Sequence, residues 1–403
     1  MIAKVANGLD ALAGERFARL KGRRVGVIAN PTSIDVRFRH IVDLLAEAPD
    51  VTLAAIFGPE HGVRAEAQDL IGVASDLDPR TGVPIHSLYG DSVASLTPTP
   101  AHLDGLDVLV FDIQDVGSRY YTFAATMKYA MMAAARAGIS FVVLDRPNPL
   151  GGVLVEGPSI EPGYESFIGA HPLPIRHGLT VGELALLFRA DLGIDLDLSV
   201  IRCNGLNRSM LWEQTGLPWV LPSPNMPTPE TAAVYPGGCL IEGTNLSEGR
   251  GTTRPFEIWG APWLDPDALA RAIDRGLSAC GLDGTLHLRP CSFRPTFQKH
   301  AGSVCGGVQI HVLNRDTFRP AAVYTIALAV VRALVPDRFA WRTETYEFVS
   351  DPIAIDLLFG SDRERRLIES GPVEDWGPDL FAETWREAEN AFRVRRQPFL
   401  LYQ

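Results

Sequence analysis

Short apolar runs alternate with amphipathic stretches through the first half of this chain, and that rhythm restricts its fold more than any other feature. Residues 24–29 (RVGVIA), 51–57 (VTLAAIF), 84–88, 107–113 (DVLVFDI), 140–144 (SFVVL) and 197–203 read as strands. Such runs, bounded by Gly, Pro and Asp, suit a parallel sheet covered on both faces. Residues 38–48 and 122–137 read as helices between them. Thr180, with Glu183 three residues on, forms a capping box that opens another helix. The βαβ order predicts an α/β fold, a Rossmann-like doubly wound parallel sheet.

A Pro-, Gly- and Asn-rich stretch over residues 218–262 interrupts the rhythm. Loops of that length are usually functional or linkers. The boundary is placed inside it, giving a Rossmann-like N-terminal domain over residues 1–228. Residues 229–403 read as a smaller α+β domain, with helices over 267–277, 321–334 and 381–392 and strands over 285–288 and 307–313. A chain of 403 residues fits two domains of ~100–200 residues each.

The net charge of −11 disfavours nucleic acid and anionic membranes as partners, although a local Arg cluster could still hold an anionic small molecule. No apolar run reaches the ~18–20 residues of a membrane span, and no secretory signal is visible at the start, so a cytoplasmic enzyme is expected. The five cysteines include no CxxC pair and read as buried free thiols. Neither a metal-ligand cluster nor a dinucleotide fingerprint occurs, so no cofactor and no metal are expected.

Ligands of open parallel sheets bind beyond the carboxyl ends of the strands. Those ends carry Glu60 and His61; Asp112, Gln114, Asp115, Arg119 and Tyr120; and Asp145, Arg146 and Asn148. Asp and Asn in such places also cap helices and close turns, and His61 could be structural. Glu60, between Pro59 and His61, is where a turn does not call for Glu. A glycosidase needs two carboxyl groups around the scissile bond, and this edge supplies several; carboxylates there also serve Mg²⁺ and ribose. Tyr120, Tyr121, Trp219, Trp259 and Trp263 are possible stacking platforms for a sugar. An acidic sugar would need a cation, with Arg119, Arg146, Arg176, Arg250 and Arg254 as the choices. The segment EGTNLSEGRGTTR, residues 242–254, looks like a glycine-built anion cradle, although it lacks P-loop spacing.

In order along the chain, FGPEHG, FDIQDVGSRYYT, DRPNPLGG, VEGP, PIRHGLTVGEL, PSPNMPTPET and EGTNLSEGRGTTRPFE resemble the blocks of the exo-β-N-acetylmuramidase (NamZ-type) family, long catalogued as a domain of unknown function. The likeness runs from about Gly8 to the C-terminus. It implies a Rossmann-like domain, a smaller second domain, an active cleft between them, and removal of a terminal β-1,4-linked N-acetylmuramic acid from the non-reducing end of peptidoglycan fragments. It implies a muropeptide or disaccharide as the small-molecule carbohydrate partner. Glu60 is then the catalytic carboxylate, with Glu248, Glu242 and Asp112 as candidates for its partner.

The remaining substrate-binding candidates carried by these blocks are Arg176 and His177; Asn225 and Glu230; and Asn245, Arg250 and Arg254. Val63, Ala65, Glu66 and Ser118 depart from the family pattern in loop detail. Two other functions compete: a phosphate- or nucleotide-sugar-binding enzyme built on the glycine-rich segment, and a non-catalytic muropeptide-binding protein.

Overall fold

The computed structural model describes residues 5–60, 62–63, 76–90 and 92–403. Among these residues, β1 (Arg24–Ala29), β2 (Thr52–Gly58), β3 (Asp76–Leu77), β4 (Pro84–Ser87), β5 (Val108–Asp112), β6 (Ser140–Leu144) and β7 (Leu198–Ile201) form one sheet in the order β3-β4-β2-β1-β5-β6-β7. Every pairing is parallel except that of the edge strand β3 with β4. The order reverses between β1 and β5, which is the switch point of a doubly wound sheet.

Period-two alternation distributes the side chains of β5. Val108 and Val110 face a core under helices Gly8–Gly14 and Ile41–Glu47. Leu109 and Phe111 face the opposite core, with Met127 and Met131 of helix Phe123–Ala137 and Leu184 and Phe188 of helix Val181–Leu192. The expected capping box is present: the Thr180 hydroxyl accepts from the Glu183 amide at 3.3 Å, and Glu183 accepts from the Thr180 amide at 3.0 Å. The helix expected over 38–48 begins only at Ile41, because Phe38 takes a left-handed φ of 62° and His40 serves as the N-cap.

β8 (Ile258–Ala261), β9 (Leu286–Phe293) and β10 (Cys305–Val312) form a smaller antiparallel sheet in the order β8-β10-β9. Helices Pro266–Ala279 and Pro320–Leu334 accompany it. The stretch over 218–262, read from the sequence as a long functional loop or linker, has secondary structure of its own. It contains helix Pro229–Gly238, with Thr228 as N-cap, and β8. Pro236 and Gly237 look like helix breakers in sequence, yet Gly237 permits a close approach. A Cβ there would stand 2.1 Å from the Pro320 carbonyl oxygen.

A single buried cluster runs from Phe111 and Phe141 through Tyr235 to Trp259, Tyr324 and Trp385, so the core is continuous between the two sheets. The C-terminal residues return to the large sheet: Arg396 donates to the His177 and Gly178 carbonyls at 2.9 Å, and the Tyr402 hydroxyl donates to Asp145 at 2.6 Å. All five cysteines are free. Among the described residues, no helix is long and apolar enough to cross a membrane, and no His/Cys/Asp/Glu cluster could hold a metal ion.

Candidate active site

Glu60 follows β2 in a turn closed by the Gly62 amide on the Pro59 carbonyl at 2.9 Å, with Gly62 at φ 80°. Its side chain lines a cavity walled by polar and aromatic side chains. Tyr120, Tyr121, Thr122 and Phe123, from the segment after β5, form one wall. Ser223, Asn225 and Met226 contribute a second wall, and Glu242, Glu248 and Arg250 a third. Gln298 and Lys299, from the β9–β10 connection, and Arg342, Tyr346 and Glu347 complete it. Rings line much of the interior: Tyr121 meets Phe123 and Tyr235 edge-on, and Tyr235 meets Phe256 in the same way.

The carboxylates of this cavity differ in surroundings. Glu60 is buried and accepts a 2.7 Å hydrogen bond from the Thr122 hydroxyl. Glu248, 2% exposed, lies 3.0 Å from the Lys299 ammonium and 3.4 Å from Arg250. Glu242 lies 2.8 Å from Arg250 and accepts from the Tyr346 hydroxyl at 2.6 Å. Burial pushes the Glu242 carboxyl up, but Arg250, Tyr346 and Lys299 more than offset it and hold it below the usual range. Glu242 and Glu248 are therefore both held within one network with Arg250 and Lys299.

Asp112 is not a partner for Glu60 in this cavity. It is fully buried at the end of β5 and accepts from Arg146 Nε at 2.6 Å. Burial pushes its carboxyl up in spite of Arg146. Arg146 and Gln114 instead line a smaller crevice at the sheet's switch point, together with Thr32, Asp35 and Trp212. Gln114 also ties the Asp115 and Pro147 carbonyls together at 2.7 Å each.

Most other expected binding residues shape loops and do not line the cavity. Asp115 accepts from the Gly117 amide at 2.6 Å, and His177 stands 3.6 Å from it. Asn148 spans the Leu150 amide and the Leu179 carbonyl. Asp145 receives Thr180, Gly182 and Tyr402, holding the start of helix Val181–Leu192. Arg119 donates to the carbonyls of Pro158, Leu173 and Leu358, and Arg176 to those of Leu150 and Phe318. These guanidiniums are buried ties between segments.

Glu230 lies on the surface, 3.3 Å from Arg315. Asn245 pins its loop to Arg338 and Ala340, and Arg254 pairs with Glu257 at 3.5 Å. Trp259 is buried against Tyr324, and Trp219 donates to the Met226 carbonyl. His61 lies outside the described residues. Of the expected set, the structure brings Glu60, Tyr120, Asn225, Glu242, Glu248 and Arg250 together.

The glycine-rich segment is not an open cradle. The Gly249 amide donates to Ser247 Oγ, the Thr252 amide to the Gly249 carbonyl and the Arg254 amide to Thr252 Oγ1. Gly249 and Gly251, both at φ 78°, let the backbone approach Ile258 and Thr296. Sequence reasoning missed Lys299, Arg342, Tyr346 and Glu347. One signal was present for Lys299: it is one of only four lysines in a chain that otherwise uses Arg, and it sits in a polar Gln-Lys-His run.

Residues 25–230 match the family described as Exo-beta-N-acetylmuramidase NamZ, N-terminal, and residues 233–402 match its C-terminal counterpart. The chain is 45% identical to Peptidoglycan beta-N-acetylmuramidase NamZ of Bacillus subtilis (strain 168), over 99% of this chain and 92% of that one. It also resembles two crystal structures of DUF1343 family proteins from Bacteroides fragilis NCTC 9343. The first has a TM-score of 0.86 at 34% identity over the whole of both chains. The second has a TM-score of 0.73 at 30% identity, covering all of this chain and 99% of that one. With both halves matched and identity this high over nearly the full length, the chain belongs to the exo-β-N-acetylmuramidase family.

Proposed function

We propose that the cavity at Glu60 is where this chain, a peptidoglycan β-N-acetylmuramidase, releases N-acetylmuramic acid, with Glu60 donating the proton to the leaving oxygen. The substrate is the non-reducing end of a muropeptide or peptidoglycan disaccharide, and the bond cleaved is β-1,4. One observation carries the choice of Glu60. It is a buried carboxylate of the cavity that bonds a neutral hydroxyl, whereas Glu242 and Glu248 are held by Arg250 and Lys299. A carboxyl locked in ion pairs is a poor proton donor. The rings of Tyr121 and Tyr235 line the cavity as apolar surface for a pyranose, and Asn225 lies at the same wall.

A phosphate- or nucleotide-sugar reading loses support, since the Gly249, Thr252 and Arg254 amides of the glycine-rich segment are already bonded. The test pairs a chromogenic β-N-acetylmuraminide with the corresponding β-N-acetylglucosaminide. Release from the first and little from the second is expected. Equal rates on the two would remove the specificity, and binding without turnover that persists unchanged in Glu60→Gln would make the chain a binding protein only.

A further inference from the structure

Among the described residues the cavity carries three cationic side chains, Arg250, Lys299 and Arg342, and their situations are unequal. Arg250 is gripped by Glu242 at 2.8 Å and Glu248 at 3.4 Å, and its guanidinium lies over the Phe256 ring at 5.2 Å. Lys299 meets Glu248 at 3.0 Å and also donates to the Ile241 and Leu246 carbonyls. Both are neutralised inside the protein. Arg342 is half-buried, and among the described residues it pairs with no carboxylate. Its Nη2 reaches the Thr345 carbonyl at 3.3 Å, and its guanidinium lies 4.7 Å from the Tyr346 ring centroid.

The placement of Arg342 is built. Its amide donates to the Gly243 carbonyl at 2.9 Å, and Trp341 bridges Thr244. Tyr346, under the guanidinium, is fixed by its hydroxyl bond to Glu242. Beyond it, Tyr346 and Val349 exchange backbone hydrogen bonds at 2.8 and 3.0 Å around Glu347 and Phe348, whose φ angles are 44° and 70°. Two consecutive non-glycine residues in the left-handed region are costly and persist only where surrounding structure enforces them. Phe348 supplies that enforcement by packing against Tyr89 and Phe167 of the other lobe.

Arg250 and Lys299 are occupied by Glu242 and Glu248, so an anionic sugar in this cavity gains a charge-assisted pair only where a further cation faces it. N-acetylmuramic acid that carries no peptide differs from N-acetylglucosamine by a lactyl ether whose free carboxylate is ionised at neutral pH, whereas in a muropeptide that carboxyl is an amide. We propose that Arg342, stacked on Tyr346, is the specificity-determining residue that pairs with this carboxylate, and that Arg250 and Arg254 do not. The assignment rests on the cavity at Glu60 being the muramic acid site. A stacked guanidinium keeps its plane and presents a fork that matches a carboxylate, which an ammonium cannot reproduce.

Calorimetry with free N-acetylmuramic acid, its lactyl methyl ester and N-acetylglucosamine tests this on the full chain. Wild type should bind the acid better than the ester by roughly 10- to 100-fold, the scale of a charge-assisted pair. In Arg342→Gln the acid and the ester should bind alike, and Arg342→Lys should recover part of the preference. N-acetylglucosamine reports separately on whether the pocket is intact. If Arg342→Gln, or Arg342→Lys should the first not fold, keeps the full preference for the acid, the assignment is wrong and Arg342 serves only internal charge balance. If wild type shows no preference for the acid over the ester, the reading of the cavity fails along with it.

Discussion

The Thr122 hydroxyl donates to Glu60 Oε2 at 2.7 Å, although Thr122 occupies the N-cap position of helix Phe123–Ala137 and makes no side-chain cap bond there. A Thr that capped its helix would contribute about 1 kcal/mol of stability. Here that group orients a carboxylate at the cavity wall. Thr122→Val keeps the shape and loses the hydroxyl. Because no cap bond is lost, its melting temperature should stay close to wild type while kcat on a muraminide falls by roughly tenfold, about the 1.4 kcal/mol scale of one hydrogen bond. Thr122→Ser should recover most of the rate. A Val variant as fast as wild type would show that the contact does not position Glu60 for the reaction.

Glu60→Gln removes the acid and keeps the volume and most hydrogen bonding. General acid–base catalysis typically contributes ~10²–10⁴-fold, so kcat on a natural disaccharide should fall by about that much. An aryl muraminide, whose leaving group needs less protonation, should suffer less. The variant should fold normally, since Glu60 takes part in no ion pair among the described residues. Turnover of the disaccharide within a few-fold of wild type would transfer attention to another carboxylate of the cavity.

The architecture of the large sheet was legible because a buried parallel strand announces itself locally. β1 and β6 fall where the apolar runs predict, β2, β4, β5 and β7 lie within a residue or two, and the two-residue edge strand β3 carries no such run. Helix Pro229–Gly238 was hidden because Pro236, Gly237 and Gly238 carry breaker signals, although Gly237 serves close contact with Pro320 and Tyr324, some eighty residues later, and Gly238 with Phe256. In the site, Glu60 and Asp112 occupied equivalent places in the sequence, each at the carboxyl end of a strand. Only the fold reveals that Arg146 crosses from the end of β6 to close off Asp112. Lys299, Arg342 and Tyr346 come from connections whose destination no local periodicity encodes.

The burial of Asp112 gives a test of that correction. Asp112→Asn leaves the cavity at Glu60 intact but strips Arg146 of its buried partner, and breaking such a pair typically costs about 3–5 kcal/mol. Asn can still accept one bond from Arg146, so the loss should fall toward the low end of that range. Urea unfolding should therefore report a clear destabilisation, while kcat/KM at a temperature where the variant is folded stays within a few-fold of wild type. A stable variant with a rate collapse resembling that of Glu60→Gln would return Asp112 to the catalytic machinery.

Glu156 sets the last expectation, for stability against pH. It is 2% exposed, and one of its oxygens accepts from the Ala322 amide at 3.0 Å near the start of helix Pro320–Leu334. Burial pushes its carboxyl up from 4.5 to about 7, against the lowering influence of Arg319, the Ala322 amide and Arg176. The folded chain thus keeps this proton up to about pH 7, whereas the unfolded chain gives it up near 4.5. The stability associated with that proton is complete below about 4.5 and is lost as pH rises through about 7, an effect on the order of 3 kcal/mol. Glu156→Gln retains a carbonyl oxygen for the Ala322 amide and has no proton to lose. Between pH 5 and pH 8 wild type should therefore lose stability relative to Glu156→Gln, measured as the gap between their urea midpoints at fixed ionic strength. Parallel pH profiles for the two proteins would mean that Glu156 is already ionised in the folded state, held by Arg319 and Arg176 despite its burial.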